Sequence, residues 1–245
     1  MFTIIEDVTT PLKIECFIRD AYTILLGDDD ITDQPATQYE DLTALMEQRI
    51  VQSPNRYLSS MRVISKLVSL QTLIDISSIT QTLESLANFK LPTMCGGPVL
   101  HVSGEKVQIP GSDGNVSWHQ DWPNTGGSRN SVTLWVPIGG CSTSGGGLTL
   151  AVGTFSQLLA YRTNQAVCAI DNEITKDFEE VIMAPAVGDG LLFGQMQPHK
   201  SHPGETTRMA VSFRFEDAAE REWRDRDFEY LHHRVKKNRD FGEWV

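Results

Sequence analysis

The chain has little of what would classify it at once. Its four cysteines (Cys16, Cys95, Cys141, Cys168) form no Cys-x-x-Cys pair and keep no regular spacing. That excludes a zinc knuckle or a disulfide framework, and makes a reducing cytoplasm the expected compartment. They read as small buried apolar groups. No apolar run approaches the ~20 residues that span a bilayer. The opening MFTIIEDVTTPLKIECFIRD has no basic leader ahead of an apolar stretch, so no signal peptide is expected. Positive charge is scarce: 21 Lys and Arg against 32 Asp and Glu leave a formal charge of −11. So acidic a surface repels phosphate backbones and anionic lipid, which argues against nucleic acid or membrane as a partner. Internal repeats and low-complexity segments are also missing.

What is present is an ordinary globular composition, 40% hydrophobic and 22% charged, in 245 residues. That length supports one large domain whose core needs no covalent staples. Two textures divide it without a linker. Residues 11–90 read as a helical N-terminal buttress. Ser53-Pro54 has the form of an N-cap followed by proline in the first turn, and Leu58, Met61, Ile64, Leu67, Leu70, Leu73, Ile74 and Ile76 follow at helical spacing. The Asp28-Asp29-Asp30 run within 27–39 reads as a solvated turn.

From Gly96 the chain changes to short β-rich runs between glycine-rich turns. Candidate strands are 99–102, 131–138, 148–152, 167–170, 191–193 and 208–215. Val132, Leu134 and Val136 alternate, as do Leu148, Leu150 and Val152, the signature of strands with one face on a core. Many short strands with Gly-Gly turns imply a jelly-roll sandwich or barrel over 96–217. The tail 218–245 reads as charged and helical, packing by Trp223, Phe228 and Leu231.

The chemistry starts at His119-Gln120-Asp121, within VSWHQDWP. Residues two apart on an extended chain face the same way, so an imidazole and a carboxylate can leave one strand end as a pair of metal ligands. His101, His199, His202 and the His232-His233 pair are candidates for a third donor. His199 stands out, ten residues past the Asp189 of a Gly-Asp-Gly turn that feeds a buried run and ahead of a strand opening with Arg208. Two histidines and one carboxylate make a facial triad with open positions, the donor set of non-haem Fe(II). Zinc more often takes four closed ligands, or an open site with a general base beside it. Arg208 adds a fork for a carboxylate, as a 2-oxo dicarboxylic acid chelating iron through its keto-acid end would require.

With these residues the β-rich half resembles the phytanoyl-CoA dioxygenase-like branch of the Fe(II)/2-oxoglutarate oxygenases. The resemblance covers KVQIPG (106–111), WHQDWP, SVTLWVPI (131–138), SGGGLTLAVGT (144–154), GDGLLF and HKSHPGETTRMAVSFRF (199–215), a little under half of the chain. It implies a double-stranded β-helix (jelly-roll, cupin-like) barrel binding Fe(II) through His119, Asp121 and His199, with O2 and 2-oxoglutarate as cosubstrates. It also implies Arg208 and Ser201 on the 2-oxoglutarate, Trp135 lining its pocket, and Lys106 and Gln108 on a preceding strand facing the same space. Trp118 and Trp122 become candidates for the pocket mouth.

There are departures from the family pattern. Gly204 stands where the family often has asparagine, and Val152-Gly153-Thr154-Phe155 replaces a common Pro-Gly-Ser-His segment. Arg208 follows His199 at nine residues, closer than is usual, so His202 competes as a ligand. Relatives that halogenate replace the carboxylate by a small residue, so Asp121 implies hydroxylation, with desaturation or ring closure as alternatives. The expected substrate is a small polar metabolite or biosynthetic intermediate. The rivals are a non-catalytic barrel that binds a metal or sugar, and a zinc or manganese hydrolase on a cupin-like barrel.

Overall fold

A computed structural model describes residues 2–27, 37–107, 116–162 and 168–231. The Asp28-Asp29-Asp30 run, Gln108, and the His232-His233 pair with the rest of the tail lie outside them.

An unforeseen strand, β1 (Phe2–Ile5), precedes the helices α1 (Pro11–Leu26), α2 (Tyr39–Gln52), α3 (Pro54–Ile64), α4 (Val68–Gln71) and α5 (Ile76–Leu86). There follow β2 (Pro92–Met94), β3 (Val99–Ser103), a 3-10 turn (Glu105–Val107), α6 (Trp122–Thr125), β4 (Ser131–Gly139), β5 (Leu148–Ala151), β6 (Tyr161–Arg162) and β7 (Ala169–Ile170). The described chain closes with α7 (Asn172–Thr175), β8 (Glu180–Met183), β9 (Gly190–Gly194), β10 (His199–Ser201), β11 (Arg208–Asp217) and α8 (Arg221–Arg224).

Helix α1 shows how local chemistry sets these bounds. The Thr10 hydroxyl accepts the Lys13 N–H, Pro11 fits the first turn, and Gly27 ends the helix at φ 74°. Its buried face is Ile14, Phe17, Ile18, Ala21 and Leu25, at helical spacing. The apolar run from Leu58 to Ile76 is not one helix. It breaks into α3, α4 and α5: the Asp75 side chain caps Ser77 N–H and starts α5, while Leu73 and Ile74 turn inward between α4 and α5. Ser53 does sit at the N-cap of α3, but its side chain makes no capping bond.

The strands form two antiparallel sheets. The larger has the order β1-β9-β4-β11, with β2 and β3 both on the far side of β11. In the smaller, β10-β5-β8 is joined to β6-β7 by His119, which bridges both His199 and Ala169. Val132, Leu134, Val136 and Ile138 of β4 and Met209, Val211, Phe213 and Phe215 of β11 pack against the helices. The alternate residues Trp135 and Ala210 meet Leu148, Leu150, Leu191 and Phe193 between the two sheets. Strand β4 is therefore buried on both faces, and its sequence is apolar almost throughout. The result is three layers: helices, large sheet, small sheet.

One expectation needs correction: the four cysteines are half-buried rather than buried, and all are free. The described part of the tail holds the short helix α8, after which Asp227 and Phe228 take positive φ. Trp223 is buried there, while Phe228 packs edge-on against it and stays half exposed. Among the described residues no single helix is long and apolar enough to cross a membrane.

Buried Asp217 locks the end of β11 to the chain entering β2. Its carboxylate accepts the N–H groups of Lys90, Leu91 and Ala219. Burial alone would raise this carboxyl, but the backbone donors outweigh it and hold the group below 3.8. Its stabilising contribution is thus complete above that value and is lost as the pH falls below it, through the lower pKa of the folded state. Asp217→Ala is expected to lose about 2–4 kcal/mol at neutral pH, since bonds to a charged acceptor contribute about 1.5–3 kcal/mol each and do not simply add. Urea denaturation at neutral and acidic pH checks both statements: the gap between wild type and variant should narrow in acid.

Candidate metal centre

His119 and Asp121 do not meet as alternate residues of a strand, as the tripeptide alone implies. His119 occupies a two-residue bridge, and the chain then turns so that Asp121 takes helical angles at the N-cap of α6. Gln120 holds that turn. Its amide donates to the carbonyls of Gln157 and Met196 and its oxygen accepts the Leu159 N–H. The opposite side of the bridge is His199 at the start of β10. The two residues exchange backbone hydrogen bonds, His119 N–H to His199 O at 2.9 Å and the reverse at 3.0 Å. Residues far apart in sequence are thereby fixed side by side.

The side chains converge. Asp121 Oδ1 lies 3.5 Å from His119 Nε2 and 3.9 Å from His199 Nε2. One ligand atom from each of the three buried residues falls within 4.8 Å of the others. Both Nδ1 atoms face backbone carbonyls: His119 that of Ser117 at 2.8 Å, His199 that of Gln197 at 3.0 Å. A carbonyl can only accept, so each Nδ1 carries a hydrogen and each Nε2 is the ring atom turned toward Asp121. Burial, reinforced by the neighbouring His119, pushes the His199 imidazole down to about 3, which keeps it neutral and able to ligate. Burial would raise the Asp121 carboxyl. The positive charge of Arg214 overrides it and holds the group well below its ordinary value. A carboxylate oxygen and two imidazole nitrogens on one side of a cavity are a donor set for a divalent ion with open positions.

That cavity, of about 210 Å³, lies between the sheets. It contains Trp135, Ser201 and Arg208 as well as the three donors. Arg208 is only 3% exposed. Its Nη1 donates to the carbonyls of Gly147 at 3.0 Å and Gly146 at 3.3 Å, and its Cζ lies 5.6 Å from the Trp135 ring centre. The glycines make this possible. Gly140 and Gly146 both have positive φ, and a β-carbon on Gly140 would strike the Thr207 carbonyl next to Arg208. Arg208 Nε is buried with no partner, and among the described residues no carboxylate lies within ion-pairing distance of the guanidinium. A buried cation held only by neutral carbonyls calls for an anion from outside the chain. Ser201 Oγ accepts the Val116 N–H at 3.1 Å at the cavity wall.

Of the other candidates, Lys106 lies in the 3-10 turn rather than on a strand, 70% exposed at its side chain, and pairs with Glu47 at 3.2 Å. It does not line the cavity. Gln108 lies outside the described residues. His202 reaches Thr149 Oγ1 at 3.4 Å and is not in the donor cluster. His101 faces the cavity but bonds Ser212 Oγ at 2.9 Å and stays neutral, pushed by burial down to about 3. Trp118 meets Phe178 edge-on, Trp122 donates to the Ser128 carbonyl, and neither lines the cavity.

Sequence reasoning missed Thr133 and Arg214, whose side chains both reach Asp121 Oδ2, at 2.6 and 3.5 Å. The signal existed: Arg214 is an even step along β11 from Arg208, which places both on the cavity face.

Neither a protein-family model nor a curated protein matches the chain. Among solved structures, the non-heme alpha ketoglutarate dependent epimerase SnoN from nogalamycin biosynthesis has a similar fold. The TM-score is 0.51 with 15% sequence identity, over 89% of this chain and 78% of that one. SnoN in complex with Fe3+, alpha ketoglutarate and nogalamycin RO aligns at 0.51 and 14%, over 89% and 79%. AviO1 from Streptomyces viridochromogenes Tue57 lies at 0.49 and 15%, over 90% and 91%. At these identities the likeness is one of fold.

Proposed function

We propose that the chain is an Fe(II)- and 2-oxoglutarate-dependent dioxygenase that hydroxylates an unactivated C–H of a small polar metabolite or biosynthetic intermediate. One observation carries the reading: an open-sided His119–Asp121–His199 donor set shares a buried cavity with Arg208, a cation lacking a counter-ion among the described residues. In this reading the two facing sheets are the halves of a double-stranded β-helix. The three donors hold Fe(II) from one side. Arg208 takes the far carboxylate of 2-oxoglutarate, with Ser201 beside it, and the walls of Trp135, Leu148 and Phe193 keep water from the reacting atoms. When bound, iron with 2-oxoglutarate and O2 supplies an oxidant able to take hydrogen from such a bond. The balance is R–H, O2 and 2-oxoglutarate to R–OH, succinate and CO2. SnoN, which shares the fold, is an epimerase, so hydroxylation rests on the retained carboxylate of Asp121 and not on the fold.

A hydrolase reading has less support. A metal hydrolase needs a base near the ion, yet Asp121 is the only acid among the described residues lining the cavity, and both its oxygens are engaged. The experiment is anaerobic reconstitution with Fe(II) followed by 2-oxoglutarate. The weak visible charge-transfer band of the chelate should grow in, and admitting O2 should release succinate and CO2. A hydrolase or a passive binder gives neither signal.

A further inference from the structure

The two oxygens of Asp121 have different surroundings. Oδ1 faces the Nε2 atoms of His119 and His199, at 3.5 and 3.9 Å. Oδ2 faces away from them, accepting the Thr133 hydroxyl at 2.6 Å with Arg214 Nε 3.5 Å off. We infer that Thr133 and Arg214 form a clamp that restricts Asp121 to ligating through Oδ1 alone, which keeps open the coordination positions that a chelating cosubstrate and O2 require. This inference rests on the iron reading above.

A carboxylate can bind a divalent ion through one oxygen or two. Around a six-coordinate ion, three protein donors leave three positions. A 2-oxo acid uses two of them and O2 the third. A second oxygen from Asp121 would close one. The hydroxyl has a single hydrogen, and at 2.6 Å from Oδ2 it makes the short bond expected of a hydroxyl on a carboxylate. Arg214 then adds charge to the same oxygen from the neighbouring strand.

The clamp sits on two paired strands inside the large sheet. Thr133 and Arg214 are direct partners in the β4–β11 pairing, Thr133 is almost wholly buried, and their neighbours on each strand are anchored in the helix-facing core. Asp121, by contrast, lies on a turn outside the sheets. The sheet therefore orients a ligand that its own loop could leave free to rotate.

Thr133→Val keeps the shape and deletes the donor, while Thr133→Ser restores it. With Co(II) as a spectroscopic probe, the valine variant should show an altered visible band intensity, reporting a changed donor count. In the Fe(II)-loaded protein the anaerobic affinity for 2-oxoglutarate should fall by about 10-fold or more, and serine should return both readings toward wild type. A valine variant with the wild-type Co(II) spectrum and wild-type 2-oxoglutarate affinity overturns the clamp. Should that variant fail to fold, Arg214→Gln takes its place in both measurements, and wild-type behaviour there overturns the clamp equally. If the wild-type protein itself forms no Fe(II)–2-oxoglutarate chelate, it is the underlying iron reading that fails.

Discussion

Asp121→Ala is expected to weaken Fe(II) binding by more than about 100-fold, and with it to remove the 2-oxoglutarate chelate band and succinate formation. Losing a residue that merely orients a ligand costs about 10–100-fold in metal affinity, and Asp121 is itself the ligand. It is also the only anionic donor in the cluster. Without it only two imidazoles would face the ion with Arg214 close by, since the guanidinium that now balances Asp121 at 3.5 Å would have lost its partner. Asp121→Asn separates charge from volume: it should retain the fold and some metal binding, yet bind more weakly than wild type. Calorimetric titration with Fe(II) or Co(II) under anaerobic conditions, beside a melting curve for each protein, measures the effect. A folded alanine variant with wild-type metal affinity would show that the ion sits elsewhere.

Arg208 should give a different pattern. Arg208→Gln is expected to weaken 2-oxoglutarate binding by about 10- to 150-fold while leaving Fe(II) affinity unchanged, because charge-assisted bonds contribute about 1.5–3 kcal/mol and each 1.4 kcal/mol is tenfold. The guanidinium lies against Trp135 and two carbonyls, away from the ion's donors, which is why the metal should not register its loss. Selectivity gives the sharper readout. Wild type should prefer 2-oxoglutarate strongly over 2-oxobutanoate, which has no far carboxylate, and the variant should scarcely distinguish them. Chelate-band titrations with both acids test this, and undiminished discrimination in the variant would assign the far carboxylate to another residue.

The sequence made some of this legible and hid the rest for identifiable reasons. The β-rich half was readable because alternation along 131–138 and 208–215 is strict, and the large sheet is built on it. His119, Asp121, His199 and Arg208 were readable because metal and carboxylate chemistry admits few residue types. Thr133 was not, since a threonine in a strand is commonplace until the turn that brings Asp121 against it is known. Arg214 looked like any strand arginine for the same reason. Lys106 misled: the strand expected to carry it ends at Ser103, and its ammonium turns outward to Glu47. The helical half was legible in kind but not in joints, because an apolar stripe continues across the breaks that Asp75 and the neighbouring turns impose.

The position of β11 has a consequence for synthesis. It is the last strand of the large sheet to leave the ribosome, yet it lies inside that sheet, hydrogen-bonded to β4 on one side and to β2 and β3 on the other. Until residue 217 has emerged, β2 and β3 have no ladder to join, and β4 presents a bare apolar edge. Such long-range pairing is slow to form and exposes sticky intermediates. The nascent chain must therefore be kept from aggregating while β4, its longest early strand, waits half-paired for β11 to emerge.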